Sequence, residues 1–600
     1  SDVSEILEYE EGTAGRLMHT RFIALPEHAE QLFREALGCY SGGYFNAFAS
    51  MCRRTSQSVF QDLGENGRLR EAQSPEDMWD VGDVILEIGT FDGGFTRILS
   101  ALYPGGETPV EVLQTHGAWV LLAGDSAFKI KKPVKFDFMD FSTLALRRAA
   151  CEAEIRVNRR WASDDPARQI YREVLPIVGT AQAPRWGRPG LDDAQAIEFA
   201  VHMHRFDEAG RLDHLCAQGQ LEPAHLVQLA QRLAHLQALA PAAPPDSPWG
   251  QPQTVHHVVQ DNLRTLQQLH NASEDRPTLQ ALQDWTDRCW PAVSVQLAQR
   301  RAAGRVREGH GDLHLANLVL LGDEVVPFDA IEFNEALRWV DVAGDLAFTW
   351  MDLQRMGQPG LAHRLLSEWL DASGDVSAPA VLPFFAVYLA LVRAKVAAIR
   401  RAQLPPGEAA EQAACQAEVQ QYLRLAQQLA WPQPPCLLIT HGLSGSGKSR
   451  AATQWLLHHA GSRALRLRSD VERKRLHGLA PLQASDPAQR TRFYGPQASA
   501  QTYGSLQQRA EALLQAGWSV VVDAAFLKRH ERDAFAALAR AQGCAFGILA
   551  PQAPLEVLRQ RITHRQARGR DPSEATLDVL EQQLQSIEPL GDDEPRLPLE

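Results

Sequence analysis

The sequence predicts a multidomain chain of mixed α+β and α/β class, in which a unit of antiparallel strands and helices precedes a domain built on an open parallel sheet. Three observations lead there. At 600 residues the chain exceeds the roughly 250–300 at which one hydrophobic core stops growing. Short strands separated by turns fill 110–134 and run into helical text, whereas from Cys436 onward apolar strands alternate with helices. Between them, Trp431-Pro432-Gln433-Pro434-Pro435 cannot continue a helix. The expected divisions are therefore 1–107, 108–430 and 431–600.

Hydrophobic residues make up 45% of the chain and charged residues 22%, the composition of an ordinary soluble protein. A formal net charge of -13 argues against a general binder of nucleic acid or membrane, although a local basic groove can still hold nucleotide phosphates. The 8 cysteines lie far apart with no C-x-x-C, so neither a zinc knuckle nor a disulfide framework is expected. No 18-residue apolar run and no signal peptide is visible, and a reducing cytoplasm fits best.

The first segment is a patchwork. Residues 2–28, with Gly12-Thr13-Ala14-Gly15-Arg16-Leu17-Met18, resemble a fragment of the cytoplasmic region of bacterial magnesium transporters that lacks any membrane span. Residues 30–63 carry the spacing of an amphipathic helix pair. Glu87-Ile88-Gly89-Thr90-Phe91-Asp92-Gly93, after an apolar strand, resembles the first motif of S-adenosylmethionine-dependent methyltransferases. The further strand–helix units such a fold needs do not follow residue 110, and a structural strand and turn accounts better for the motif.

From 108 the pattern is coherent. Val110-Glu111-Val112-Leu113, Trp119-Val120-Leu121-Leu122 and Ala127-Phe128-Lys129-Ile130-Lys131 read as successive antiparallel strands, and helical spacing beginning near Phe141 carries Glu154. A lysine on a strand followed by a glutamate on a helix is the order of a kinase small lobe, where the lysine holds phosphates and the glutamate holds the lysine. Lys129 and Lys131 alternate with Phe128 and Ile130 and share one face, so spacing does not choose between them. Ala196-Ile197-Glu198-Phe199-Ala200-Val201-His202-Met203 stands where a kinase hinge would set backbone groups against adenine, though a buried strand would look the same.

The chemistry sharpens at His310-Gly311-Asp312-Leu313-His314-Leu315-Ala316-Asn317. Its H-G-D-x-H-x-x-N matches the H-R-D-x-x-x-x-N catalytic loop, in which the aspartate orients a substrate hydroxyl and takes its proton while the asparagine holds a metal. A strand ending in Asp329 takes the place of the metal-binding D-F-G aspartate, but Ala330-Ile331 follow and no A-P-E segment is recognisable, which points away from protein substrates. His310 and His314 fit structural hydrogen-bonding roles better than metal ligation. Asp341, Asp345 and Asp352 follow on helical text; the first two, one turn apart, either brace the catalytic loop or cap and solvate the helix. Residues 220–300 and 360–430 are Leu/Ala/Gln-rich helical text, the material of a large lobe.

In the last segment, Cys436-Leu437-Leu438-Ile439-Thr440 feeds into Gly442-Leu443-Ser444-Gly445-Ser446-Gly447-Lys448-Ser449, which fits G-x-x-x-x-G-K-[ST]. Gly442, Gly445 and Gly447 let backbone N–H groups curl round phosphate, Lys448 reaches the β- and γ-phosphates, and the Ser449 hydroxyl can hold Mg²⁺. Two further strands end in Asp470 and Asp523, and the carboxyl ends of parallel strands face one crevice. Asp523 suits a metal acid and Asp470 a substrate-orienting base, and helix capping is the alternative for each. Arg561, Arg565 and Arg568 share a helical face, as in a lid over phosphates or a solvated basic face.

Together THGAWVLL, FKIKKPVKFDFMDFSTL, HGDLHLANL, FDAIEFN, GLSGSGKS, LRSDVERKRL, VVVDAAF and DPSEAT, in that order, resemble the bacterial bifunctional proteins that join an aminoglycoside-phosphotransferase-like domain to an ATP-binding P-loop kinase domain. The resemblance covers 108–600 and excludes 1–107. It implies a bilobal protein-kinase-like domain followed by a P-loop domain, both using ATP with Mg²⁺. Asp312 and Asp470 would be catalytic; Lys129 or Lys131, Glu154, the phosphate-loop glycines, Lys448, Ser449 and Arg565 would bind ATP; Asn317, Asp329, Ser449 and Asp523 would bind metal. The expected partner is a small-molecule phosphoryl acceptor rather than nucleic acid or membrane. One module acting only as a regulatory ATP sensor is the alternative, and the acceptors and the oligomeric state stay open.

Overall fold

The computed structural model describes residues 111–600, apart from 116, 137–138, 181–182, 271–274, 405–406, 484, 487–494, 569–570 and 599–600. The transporter-like fragment, the helix pair and the glycine motif of the first segment lie outside the described residues.

A six-stranded antiparallel sheet opens the described chain, formed by β1 (Glu111–Gln114), β2 (Ala118–Ala123), β3 (Ser126–Lys131), β4 (Tyr171–Thr180), β5 (Ala183–Trp186) and β6 (Ala196–His204), in the spatial order β1-β2-β3-β6-β4-β5. Helix α1 (Leu144–Arg159) crosses between β3 and β4; the Thr143 hydroxyl caps it by accepting from Leu146 N–H, and Cys151 and Ile155 pack against the sheet. The hinge expectation for 196–203 needs correction. Strand β6 lies inside the sheet: Ala200–Met203 pair with β3 on one edge and β4 on the other, so their backbone is taken up by the ladder, while 196–199 pair with β4 alone.

Helices α2 (Pro223–Leu239), α3 (Pro252–Leu269) and α4 (Arg276–Ala302) begin the large lobe. They are followed by β7 (Val306–Glu308), the hairpin of β8 (Leu318–Leu321) and β9 (Glu324–Pro327), and β10 (Trp339–Asp341), which pairs with β7. Helices α5 (Val342–Arg355), α6 (Pro359–Ser373), α7 (Leu382–Gln403) and α8 (Ala409–Ala430) complete it. Sheet, helix, catalytic-loop strand and hairpin follow one another as in a bilobal kinase-like fold. Contrary to the reading of the sequence, α7 does contain an 18-residue stretch apolar enough to cross a membrane. Phe384, Ala390 and Leu391 on it are buried against neighbouring helices, which is why the helix is apolar on most of its faces.

Strands β11 (Cys436–Thr440), β12 (Ala464–Arg468), β13 (Ser519–Asp523) and β14 (Ala545–Leu549) form a parallel sheet in the order β12-β13-β11-β14, with α9 (Lys448–His458), α10 (Ser469–Leu476), α11 (Pro496–Gln515) and α12 (Arg529–Ala541) in the connections. Helices α13 (Leu555–Arg568) and α14 (Leu577–Ser586) follow. One hydrophobic core continues from the large lobe into this sheet. Trp350 of α5 lies 5.9 Å from Trp518, measured between ring centroids, and the Trp518 indole N–H donates to the Pro379 carbonyl at 3.1 Å. Helix α6 docks on α9 so closely that a Cβ on Gly360 would collide with the Leu457 carbonyl.

Candidate functional site

The first candidate site lies where β7 gives way to the loop of 309–317. Gly311 is left-handed (φ +83), and a Cβ there would meet the Leu337 carbonyl oxygen at 2.6 Å. His310 is fully buried, donates from Nε2 to the Phe328 carbonyl at 2.9 Å and accepts the Asp312 N–H at Nδ1, 3.3 Å away. That pairing requires the neutral Nε2–H tautomer, and burial correspondingly pushes its pKa down. His310 thus ties the catalytic loop to the strand before Asp329. His314 caps the short turn that follows, accepting the Ala316 N–H at 3.2 Å.

Two of the three acids that follow brace the loop. Asp345 accepts the N–H groups of His310 and Gly311 at 3.1 and 3.0 Å, and Asp352 accepts that of Leu315 at 3.1 Å. Asp341 instead caps α5 and pairs with Arg300 at 2.7 Å.

Asn317 donates from Nδ2 to the Asp312 carbonyl at 2.9 Å and to its carboxylate at 3.3 Å, which turns Oδ1 away from Asp312. His314 Nε2 lies 3.4 Å from Asp312 Oδ2. Burial opposes ionisation of Asp312, but His314 beside its carboxylate and the charge of Arg393 outweigh it and hold the carboxyl below its ordinary range. It therefore stands ready to accept a proton.

Asp329 sits two residues beyond β9 in the left-handed region (φ 59), a conformation rare outside glycine. Two residues that the sequence reading did not single out as functional hold it there. The Asp329 N–H donates to the Tyr171 hydroxyl at 3.0 Å, and the Ala330 N–H to Asn158 Oδ1 at 2.9 Å. Asn158 lies one turn after Glu154 on α1, a spacing that could have pointed to it; Tyr171 carries no local signal.

Both lysines of β3 reach Glu154, one on each carboxylate oxygen. Lys129 Nζ is 2.9 Å from Oε1 and also 2.6 Å from Asp329 Oδ1, whereas Lys131 Nζ is 2.5 Å from Oε2 and pairs with Glu332 as well. Lys129 alone joins the helix glutamate to the metal-acid candidate. Lys131 is enclosed, with 1% of its side chain exposed. Burial works against the Asp329 charge, yet Lys129 and Lys131 bring its pKa down to about 2. One carboxylate and one amide oxygen suit Mg²⁺, which keeps most of its shell as water and phosphate oxygens.

The second candidate site is the phosphate loop. Gly442, Gly445 and Gly447 all have positive φ (142, 82 and 103), and a Cβ on Gly442 would lie 2.9 Å from Ser446 Oγ. That hydroxyl is buried without a hydrogen-bond partner among the described residues, as fits a cradle shaped for an anion. Lys448 donates to the Leu443 carbonyl at 2.7 Å, and burial lowers its pKa to about 8 even though Asp523 and Asp470 favour its charge. Ser449 is exposed in the first turn of α9, and Asp523 closes β13 with Arg468 Nε 3.9 Å from its carboxylate.

Asp470 is not at a strand end. Strand β12 stops at Arg468, and Asp470 falls in the first turn of α10, paired with Arg473 at 3.1 Å. On α13, Arg561 touches the phosphate loop by donating to the Gly445 carbonyl at 3.1 Å; Arg565 bonds the Ala575 carbonyl at 3.4 Å, and Arg568 is exposed at the helix end.

Residues 437–590 match the family model of an AAA domain. An uncharacterized protein of Mycobacterium tuberculosis (strain ATCC 25618 / H37Rv) is 27% identical over 470 residues, which cover 78% of this chain and 88% of that protein. Among solved structures, choline kinase from Cryptosporidium parvum Iowa II aligns with 57% of this chain and 95% of its own at 11% identity and a TM-score of 0.36. An aminoglycoside phosphotransferase from Alicyclobacillus acidocaldarius aligns with 53% of this chain and 92% of its own at 14% identity and a TM-score of 0.29.

Proposed function

We propose that the chain is an ATP- and Mg²⁺-dependent phosphotransferase with two nucleotide sites, acting on an alcohol group of small hydroxylated molecules. The convergence of Lys129, Glu154, Asp312, Asn317 and Asp329, drawn from four separate stretches of chain, carries the reading. Asp312 orients the acceptor hydroxyl and takes its proton as the oxygen bonds to the γ-phosphorus and the bond to the β,γ-bridging oxygen breaks, releasing ADP. Lys129, steadied by Glu154, exchanges the Asp329 carboxylate for donor phosphate oxygens. Asn317 and Asp329 at one site, and Ser449 and Asp523 at the other, would hold Mg²⁺, which would supply neutralisation of phosphate charge. At the second site Lys448 and Arg565 face the phosphates, and Asp470 orients the acceptor.

The test uses full-length protein, ATP and a mixture of small hydroxylated metabolites, scored by the mass shift of a phosphoryl group. Asp312→Asn abolishes transfer at the first site and Lys448→Ala abolishes nucleotide use at the second; undiminished activity in both variants would sink the proposal. A second reading, with the P-loop half as an ATP sensor, is favoured by the buried ion pairs that join β12 to α6 of the large lobe. In that case Lys448→Ala alters the rate of the first site but removes no product of its own.

A further inference from the structure

Strand β3 crosses twice from the small lobe to the segment after β9. Lys129 reaches Asp329, and two residues along the strand Lys131 reaches Glu332, three residues past Asp329. Both ammonium groups also take Glu154, one oxygen each, so three carboxylates share two cations.

The two crossings differ in what they can give up. Lys129 keeps 13% of its side chain exposed and Asp329 45%, so this pair stands open to a ligand. Lys131 keeps 1% and Glu332 6%, and the Lys131 ammonium lies 5.3 Å from the centroid of the Phe141 ring. Large-lobe contacts fix the Glu332 backbone: Arg338 donates to its carbonyl at 3.2 Å and to the Glu308 carboxylate at 2.9 Å, while the Ile331 N–H donates to the His310 carbonyl at 3.0 Å. When Lys129 turns to phosphate oxygens it leaves Asp329, and the Lys131–Glu332 crossing remains. Lys131 also satisfies the second oxygen of Glu154. Without it the fully buried Glu154 would have Lys129 as its sole cation among the described residues, and a carboxylate away from water holds such a partner strongly.

We propose that Lys131 is a positioning residue of the Asp312 site: pinned by Glu332, it occupies one oxygen of Glu154 so that Lys129 is released from its carboxylates to the donor phosphates. Lys131 itself touches no nucleotide. The proposal rests on the phosphotransferase reading of that site, but its test is made on binding.

Full-length Lys448→Ala protein, with its P-loop lysine removed, is titrated calorimetrically with ADP and Mg²⁺ and separately with adenosine. Adding Lys131→Met weakens ADP binding about tenfold or more, the scale of one hydrogen bond to a charged group, and leaves adenosine binding unchanged, because only the phosphates engage Lys129. Partial unfolding lowers the number of sites titrated and not the affinity of those that remain, so a merely structural role spares both ligands or weakens them alike. Where Lys131→Met does not fold, Lys131→Met combined with Glu332→Met removes the carboxylate it strands, and the same selective loss is expected. Unchanged ADP affinity in the folded variant, or equal weakening of ADP and adenosine, overturns the proposal. Failure of the Lys448→Ala protein to bind ADP overturns it together with the nucleotide site. Selective loss in a protein that transfers no phosphoryl group to any hydroxylated compound would leave the positioning role standing and remove the reaction.

Discussion

Arg466 of β12 and Glu368 of α6 meet at 2.5 Å with only 3% and 9% of their side chains exposed, an ion pair buried between the parallel sheet and the large lobe. Arg364 shares the same Glu368 oxygen at 3.1 Å, Asp371 lies 3.4 Å from Arg466, and the Arg466 N–H donates to Ser367 Oγ at 3.2 Å. Removing one member of such a cluster strands a charge away from water. Glu368→Ala should cost about 3–5 kcal/mol in denaturant unfolding, and Arg466→Met in the same protein should restore a large part of it. A loss within roughly 0.5 kcal/mol, the range of surface substitutions, would show that the cluster holds nothing together.

Gly360 tests the same junction sterically. Alanine normally gains up to about 1 kcal/mol over glycine within a helix. Here its Cβ would run into the backbone carbonyl of Leu457, which has no rotamer to retreat to, so Gly360→Ala should destabilise by roughly 1–3 kcal/mol. A raised melting temperature would contradict the close approach.

Glu308 links the two lobes beside the first site. Its carboxylate takes Arg156 of α1 and Arg160, the residue just after that helix, at 2.9 and 2.6 Å and Arg338 at 2.9 Å. Burial alone would raise its pKa, but the three arginines bring it from the ordinary 4.5 down to about 2. A depressed carboxyl stabilises the fold fully above its unfolded pKa and loses that contribution as pH falls toward its folded one. The contribution is on the order of 3 kcal/mol, and it should fade between pH 4.5 and 2. Glu308→Gln should be less stable at neutral pH and flatten the acid limb of a stability–pH series; an unchanged limb would refute the assignment.

Lys448 offers a protonation readout of nucleotide binding. In the free protein its pKa is about 8, whereas phosphate oxygens at the amine favour the charged form and raise it. Binding near pH 7 should therefore involve little proton exchange, binding near pH 9 should take up a proton, and affinity should fall as pH rises between them. Calorimetry in buffers of different ionisation enthalpy measures the uptake. Lys448→Ala should abolish it, and uptake persisting in that variant would place the linkage elsewhere.

The parts of the fold read correctly from sequence are those whose signal is local. The strand–turn alternation leading to β3, the loop of 309–317 and the glycine loop before α9 each declare themselves within about a dozen residues. Lys129 and Lys131 could not be separated because a period of two sets both on one face; the structure uses both, since Glu154 has two oxygens to give. Asp470 was misplaced because the helix begins one residue before it, at Ser469, without a break in the apolar strand text to announce it. The 196–203 run is apolar whether it ends a sheet or lies within one, and only pairing on both edges settles which. Tyr171, Gly360 and Arg466 were illegible because each has its partner about 100 residues away or farther.

Trp431 to Pro435 mark where the chain changes architecture, yet the apolar interior does not end there. Trp350, Trp369 and Trp518, from either side of that stretch, belong to one core. Severing the peptide within 431–435 would thus leave two complementary fragments, each with a raw apolar wall. Expressed alone they should precipitate; expressed together they should co-purify as a nicked but folded molecule, and independent solubility of both fragments would contradict this. The proline-rich stretch is then a seam in the gene's order of parts rather than a joint in the molecule, and the covalent bond across it is the weakest reason the halves stay together.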